Sequence, residues 1–138
     1  MKEVEVKVIV TGSVKGEAIV SKKSISFLGG VDGKKGIIAD IQSELHGKSI
    51  KDKIFVFPES VGSTVGSYVI YSLKVNNVSP LALVTNQAET IVIAGAILAE
   101  IPFFEVANRD VTKIVSTGDI ISINPERRTL TIEKKSSS

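Results

Sequence analysis

The sequence predicts an α/β domain in which sheet layers carry a small helix layer and strands occupy both termini. Three observations predict it. Val4, Val6, Val8 and Val10 alternate with Glu3, Glu5 and Lys7 near the start. Near the end, residues 120–123 and 129–133 flank a charged turn. Between them, apolar runs at 54–57 and 82–84 and the stretch Phe103-Phe104-Glu105-Val106 are separated by two helical patterns. Period-two alternation marks half-buried strands, whereas continuous apolar runs separated by helices mark parallel strands buried on both faces.

Taken in order, Val4 to Val10 reads as one strand, turned by Thr11-Gly12-Ser13. Residues 16–20 read as a second strand and 25–28 as a third or a continuation. Then come four glycines in the eight residues Gly29-Gly30-Val31-Asp32-Gly33-Lys34-Lys35-Gly36. Such a segment serves either a hairpin turn or a loop wrapping a ligand, because glycine reaches positive φ freely. The returning run at 36–39 favours the hairpin, and Asp32 is read as a turn residue that could also orient a substrate. Residues 43–53 are polar, anchored by Leu45, Gly47 and Ile50. His46 lies there without a carboxylate at metal-binding or triad spacing, so a structural or exposed role is expected.

The run at 54–57 predicts a buried strand, and 66–75 a helix with Val65, Val69 and Leu73 on one face, stopped by Asn76-Asn77. A short strand at 82–84 follows Pro80. Residues 90–99 are apolar on nearly every side and predict a buried helix, too short to cross a bilayer, with Ala94, Gly95 and Ala96 allowing close packing. Pro102 ends it before the strand at 103–106. The turn Asn124-Pro125-Glu126-Arg127-Arg128 makes a terminal hairpin, and 134–138 are expected to fray. One domain is expected over 1–138.

The chain is organised around Pro58-Glu59-Ser60-Val61-Gly62-Ser63-Thr64-Val65-Gly66-Ser67-Tyr68, between the strand and the first long helix. A small-residue turn there aims free backbone N–H groups and the positive end of a helix dipole at one point. Anions bind at such points, and a serine placed there can be activated. Ser63 is the candidate hydroxyl; the alternative is that Ser63 or Thr64 only caps the helix. The loop is neither a P-loop, lacking Gly-Lys-Ser/Thr, nor a G-x-S-x-G elbow.

Totals exclude several classes. A net charge of +2, with no basic run interleaved with aromatics, argues against nucleic acid. Zero cysteines exclude disulfides and any thiolate metal site or cluster held by this chain alone. A single histidine cannot build a histidine metal site. With no apolar signal core and no membrane-length run, a cytoplasmic location is the default expectation, with no membrane association.

The residues also resemble a known family. Ser24-Ile25-Ser26-Phe27-Leu28-Gly29-Gly30-Val31-Asp32, Glu44-Leu45-His46-Gly47, Gly62-Ser63-Thr64-Val65-Gly66-Ser67-Tyr68-Val69 and Ala94-Gly95-Ala96-Ile97 with Ile101-Pro102 occur in that order. Together, over roughly residues 8–134, they resemble the small subunits of the aconitase X family. The resemblance implies the swivelling β/β/α fold of the aconitase small domain. It also implies a separate large subunit as partner, which supplies the cysteines of a [4Fe-4S] cluster. The implied reaction is dehydration of (R)-5-phosphomevalonate to trans-anhydromevalonate 5-phosphate, a step of a modified mevalonate route to isoprenoids. The family's proton-accepting serine falls on Ser63. Gly62, Thr64, Gly66, Ser67, Gly29, Gly30 and Asp32 are the candidate substrate-binding residues, and no residue here is a candidate metal ligand.

One departure stands out. Relatives usually have a basic residue just before the Gly-Ser pair, where this sequence has Val61. Lys34, Lys35, backbone amides or cations of the partner would have to replace it.

A neutral serine hydroxyl is a poor base, and it serves only if its alkoxide is stabilised. Amides of Thr64 to Ser67, in a water-poor interface, are the candidate donors. Three other readings remain open at this level. Aconitase X relatives that dehydrate hydroxyproline isomers often have both domains fused, and a sequence ending at Ser138 favours the separate-subunit dehydratase. A phosphohistidine swivel module needs its histidine in the small-residue loop, whereas His46 lies elsewhere. A non-catalytic interaction module would use the glycine loops only to shape an interface.

Overall fold

The computed structural model describes residues 2–135. In chain order, its elements begin with β1 (Lys2–Glu5), β2 (Lys7–Val10) and β3 (Val14–Val20). A broken turn follows, α1 (Phe27–Gly30), then the small hairpin of β4 (Val31–Asp32) and β5 (Ile37–Ile38). The centre is β6 (Ile54–Phe57), α2 (Gly66–Val75), β7 (Ala82–Thr85), α3 (Thr90–Ala99) and β8 (Phe103–Glu105). The short helix α4 (Val111–Ile114), absent from the sequence expectations, leads to β9 (Ile120–Asn124) and β10 (Thr129–Glu133).

Eight strands form one sheet in the order β1-β10-β9-β3-β6-β7-β8-β2. Strands β3, β6, β7 and β8 run parallel, and the others pair antiparallel, as the connection lengths predict. The two ends of that order, β1 and β2, are neighbours in the chain. The sheet therefore curls until a single N-terminal segment bridges its two margins, and the result is nearly a closed barrel. This corrects the expectation of one continuous strand from Val4 to Val10. The segment breaks at Val6, whose N–H donates to the Arg128 carbonyl, as pairing passes from β10 to β8. Side-chain alternation continues through the break, so the pattern gives no local sign of the change of partner.

The central strands are buried on both faces, which is why they read as unbroken apolar runs. From β6, Phe55 and Phe57 face the helix layer with Ile70, Leu73, Val92 and Ala96. Ile54 and Val56 face inward with Ala82, Val84, Phe104, Ile121 and Leu130. Because α2 and α3 both connect parallel strands, they lie side by side and run the same way. Gly95 sets their separation: a Cβ there would come within 2.9 Å of Ile70 Cβ and 3.1 Å of the Ser67 carbonyl.

Three further expectations are corrected. Residues 25–28 are not a strand: Ile25 makes a single parallel bridge with Ser60 before the chain turns through Phe27–Gly30. The buried face of α2 is Gly66, Ile70 and Leu73, and Val65 is exposed, because Gly66 rather than a larger residue fits against Phe27 and Ile91. The helix α3 is not buried all round. Small residues Gly95, Ala96 and Ala99 face the interior, while Ile97 and Leu98 are exposed.

Lys134 and Lys135, expected to fray, are tied down. The buried Asp119 carboxylate accepts hydrogen bonds from the Ser116 amide (2.8 Å), the Lys135 amide (2.9 Å) and Lys134 Nζ (3.0 Å). Residues 136–138 lie outside the described residues. Burial pushes the Asp119 carboxyl up, but the Lys135 and Ser116 amides and then Lys134 outweigh it and hold the group below its ordinary value of 3.8. A carboxyl lowered in the folded state stabilises the fold above its unfolded pKa, and that contribution is lost as pH falls through the folded value. Asp119→Asn is expected to cost about 1–3 kcal/mol at pH 7. In denaturant titrations the difference from wild type should shrink below about pH 4. A gap that stays constant down to pH 2.5 would show that the charge of Asp119 contributes nothing.

Candidate functional site

In open parallel sheets, ligands bind beyond the carboxyl ends of the strands. Here the segments leaving β6 and β7 bound a cleft of about 220 Å³, lined by Phe27, Glu59, Ser60, Val61, Gly62, Ser63, Gly66, Glu89, Ile91 and Val92. Two helices begin on its rim. A Cβ on Gly66 would lie 3.5 Å from Ile91 Cγ2, so the first turns of α2 and α3 are in contact. The positive ends of both dipoles therefore fall on the same side of the cleft.

Ser63 is exposed and lines this cleft. Its Oγ accepts a hydrogen bond from the Val65 amide at 3.1 Å, and its carbonyl accepts one from the Gly66 amide at 3.0 Å. The turn immediately before α2 is thus closed by the serine itself. This modifies the expectation that the amides of Thr64 to Ser67 all await an anion. Gly66 N–H is engaged by Ser63, and Ser67 N–H by the Thr64 carbonyl at 3.3 Å. The Val65 amide is the one aimed at the serine oxygen, and it would stabilise negative charge there.

Beneath the loop, the Ile25 amide donates to the Glu59 carbonyl (3.0 Å) and the Val61 amide to the Ile25 carbonyl (2.9 Å). Ser24 Oγ donates to Glu59 Oε1 at 3.2 Å. Gly62 has φ +115°, and a Cβ on it would stand 2.9 Å from Ser26 Oγ. These contacts clamp the Ser24–Ser26 segment to Glu59–Gly62 and hold the turn over Phe27.

Of the candidate residues, Gly62, Ser63 and Gly66 come together at the cleft. Thr64 and Ser67 shape the turn beside it: the Thr64 carbonyl accepts from Ser67 Oγ at 2.9 Å. Gly29 (φ +84°) and Gly30 belong to the α1 turn, and the Gly30 carbonyl accepts from the Ala39 amide; neither lines the cleft. Asp32 sits at the far end of α2. Its hairpin packs on Ser72 through Gly33, whose carbonyl accepts from Asn76 Nδ2. The Lys34 and Lys35 amides donate to Asp32 Oδ1 and, in that order, hold its carboxyl below the ordinary value. Lys34 and Lys35 therefore do not stand in for a basic residue at Val61. His46 is exposed on its own loop, outside the cleft.

Sequence reading missed Glu59 and Glu89, the two charged residues of the cleft lining. Each sits just beyond the carboxyl end of a central strand, Glu59 two residues after β6 and Glu89 immediately before α3. Pairing the segments that follow neighbouring parallel strands would have found them. No basic residue lines the cleft. Among the described residues no group of three or more His, Cys, Asp or Glu could hold a metal ion. None of the described helices is long and apolar enough to cross a membrane.

Around the cleft the surface is apolar. Leu28, Val61, Val65 and Tyr68 are 46%, 56%, 45% and 68% exposed. Concentrated exposure of this kind beside a polar cleft marks an interaction face.

Comparisons with known proteins agree with the fold. The family model described as the aconitase X swivel domain matches residues 3–132. The phosphomevalonate dehydratase small subunit of Thermococcus sibiricus is 48% identical over 123 residues, which is 89% of this chain and 92% of that one. The Thermococcus kodakarensis protein of the same name is 55% identical over 106 residues, 77% of this chain and 78% of its own. The crystal structure of Thermococcus kodakaraensis aconitase X in its holo form superposes with a TM-score of 0.90 at 42% identity, covering 97% of this chain and all of that one. With nearly the whole length matched in sequence and in shape, the chain belongs to the aconitase X swivel-domain family.

Proposed function

We propose that this chain is the serine-bearing small subunit of a two-chain hydro-lyase that dehydrates (R)-5-phosphomevalonate to trans-anhydromevalonate 5-phosphate, a step in a modified mevalonate route to isoprenoids. The observation that carries the proposal is the placement of Ser63. It is an accessible hydroxyl in a cleft at the carboxyl ends of parallel strands, with the Val65 amide on its oxygen. The names of the relatives, phosphomevalonate dehydratase small subunit, supply the substrate.

Dehydration removes a proton from the carbon beside a carboxylate and a hydroxyl from the next carbon. Ser63 is assigned the proton, and the second half of the site is assigned to the partner. Two features support that division. The substrate is a phosphorylated carboxylate, yet the cleft lining offers two carboxylates and no cation. A [4Fe-4S] cluster does not fit the donor set of this chain, which has no cysteine. The cluster and the anion-binding cations are therefore placed on the large subunit, docked on the rim of Leu28, Val61, Val65 and Tyr68.

The isolated chain is expected to be folded, colourless and without turnover, and activity should appear when the large subunit is co-expressed. Mixing the purified chains with phosphomevalonate and following alkene formation tests this. Turnover by this chain alone would refute the shared site. An assembled, cluster-loaded complex that left phosphomevalonate untouched but dehydrated another hydroxy acid would refute the substrate.

A further inference from the structure

Ser63 as a base raises a question its own contacts leave open: where its hydroxyl proton goes. A serine hydroxyl is weakly acidic, and besides a donor such as the Val65 amide that stabilises its alkoxide, an adjacent general base is a recurrent means of activating one. Within this cleft the candidates are few. It contains no histidine or lysine, and its charged groups are Glu59 and Glu89. Glu59 is engaged, since its carboxylate accepts the Ser24 hydroxyl at 3.2 Å. The Glu89 carboxylate has no hydrogen-bond or ion-pair partner among the described residues, although the residue is partly buried.

Position favours Glu89 as well. It stands at the N-terminal boundary of α3, with its backbone in the extended conformation that turns the chain into the helix. Ser63 precedes Gly66 by three residues, Glu89 precedes Ile91 by two, and Gly66 and Ile91 are in contact. The crossing at Gly95 and Ile70 fixes the two helices. Ser63 and Glu89 are thus carried into one cleft by two helix starts that cannot move independently. Apo geometry of such pairs is often looser than in the working complex.

Resting on the reading of Ser63 as the proton acceptor, the geometry points to Glu89 as the carboxylate that takes the hydroxyl proton of Ser63 during the reaction. The C–H bond beside the substrate carboxylate breaks and its proton goes to Ser63 Oγ as the Ser63 O–H proton passes to Glu89. The C–H electron pair becomes the new C=C bond, and the C–O bond on the neighbouring carbon breaks. The departing hydroxide takes the proton from Glu89 and leaves as water, which restores the carboxylate. Substrate becomes alkene plus water, and no other reactant is needed.

The assembled two-chain enzyme provides the test, with kcat/KM measured against pH for wild type, Glu89→Gln, Glu89→Asp, Glu59→Gln and Ser63→Ala. Glu59 is the one other charged group on the lining; Glu105, on β8 behind, already accepts the Ala88 amide at 2.7 Å. E89Q should lower turnover about 10²- to 10⁴-fold and abolish the acid-side fall of the profile. E89D should restore part of the rate with a displaced limb, and E59Q should keep the wild-type limb. E89Q with wild-type turnover and profile would overturn the proposal. So would E89Q that assembles poorly yet shows the normal profile at saturating large subunit, because Glu89 would then be receiving a cation of the partner. If S63A is inactive while E89Q is normal, only the role of Glu89 falls; if S63A is active, the serine reading falls first. Should E89Q not fold, an E89D profile superposable on wild type would overturn the proposal equally.

Discussion

Ser63→Ala is expected to reduce turnover of the assembled enzyme by about two to four orders of magnitude, the usual contribution of a positioned acid or base. Thermal stability should hardly change. The side chain is exposed, and the bond it loses is a single acceptor contact to the Val65 amide, worth about 0.5–1.5 kcal/mol. The Gly66 amide keeps its bond to the Ser63 carbonyl, so the turn before α2 retains a backbone closure. The expected signature is a large fall in kcat with little change in KM or in binding of the large subunit. Loss confined to KM would make Ser63 a substrate contact, and near wild-type turnover would refute its assignment as base. Ser63→Cys separates the cases further, because a thiol keeps a proton-accepting atom near the same place.

Much of the frame around Ser63 was legible because its signals are local. The run Ile54-Phe55-Val56-Phe57 could only be a strand buried on both faces, and it is. The hydroxyl-rich turn followed by a helical period located α2, though not the face it buries. The glycine cluster after Leu28 was read as a hairpin, and Val31–Asp32 does pair with Ile37–Ile38. What escaped depended on which strands become neighbours. Glu59 and Glu89 are thirty positions apart and share a cleft only because β6 and β7 lie side by side, a fact of sheet order carried by no short window. The break at Val6 escaped for a related reason: hydrogen-bond partners change there while the side-chain period does not. Lys134 and Lys135 read as a polar tail because the group that holds them, Asp119, is buried and distant in the chain. The turn that carries the serine could be read from one short window, whereas bringing the two carboxylates beside it needed the topology.

Phe27→Ala should produce the largest loss of stability near the site. Phe27 is buried, with its ring edge-to-face against Phe55 at 6.3 Å and Phe57 at 5.8 Å, and it also lines the cleft. No regular element holds the segment that carries it. The chain from Ser24 to Gly30 is fixed to the sheet by the Ile25–Ser60 bridge, a few backbone bonds, the Ser24–Glu59 side-chain bond, the buried Ile25 side chain and this ring, the largest of these groups. Truncation removes a large apolar surface and opens a cavity that the surrounding phenylalanines cannot fill, at a cost of about 3–5 kcal/mol. For a chain of this size that corresponds to a Tm lowered by about 10–20 °C. The Cβ of Phe27 lies 3.6 Å from where a Cβ on Gly66 would stand, and the ring beyond it, packed on Phe55 and Phe57, anchors that contact beneath the start of the helix that places Ser63. Activity measured well below the new Tm should therefore also fall, by as much as about 100-fold, since small misplacements of a catalytic group are that costly. Phe27→Leu, which keeps most of the volume, should recover more than half of both losses. A Tm shift under about 3 °C for F27A would mean that the ring is not what holds this segment down. A full stability loss with unchanged kcat would mean that the turn bearing Ser63 keeps its place through the Glu59–Ile25 and Val61–Ile25 backbone bonds alone.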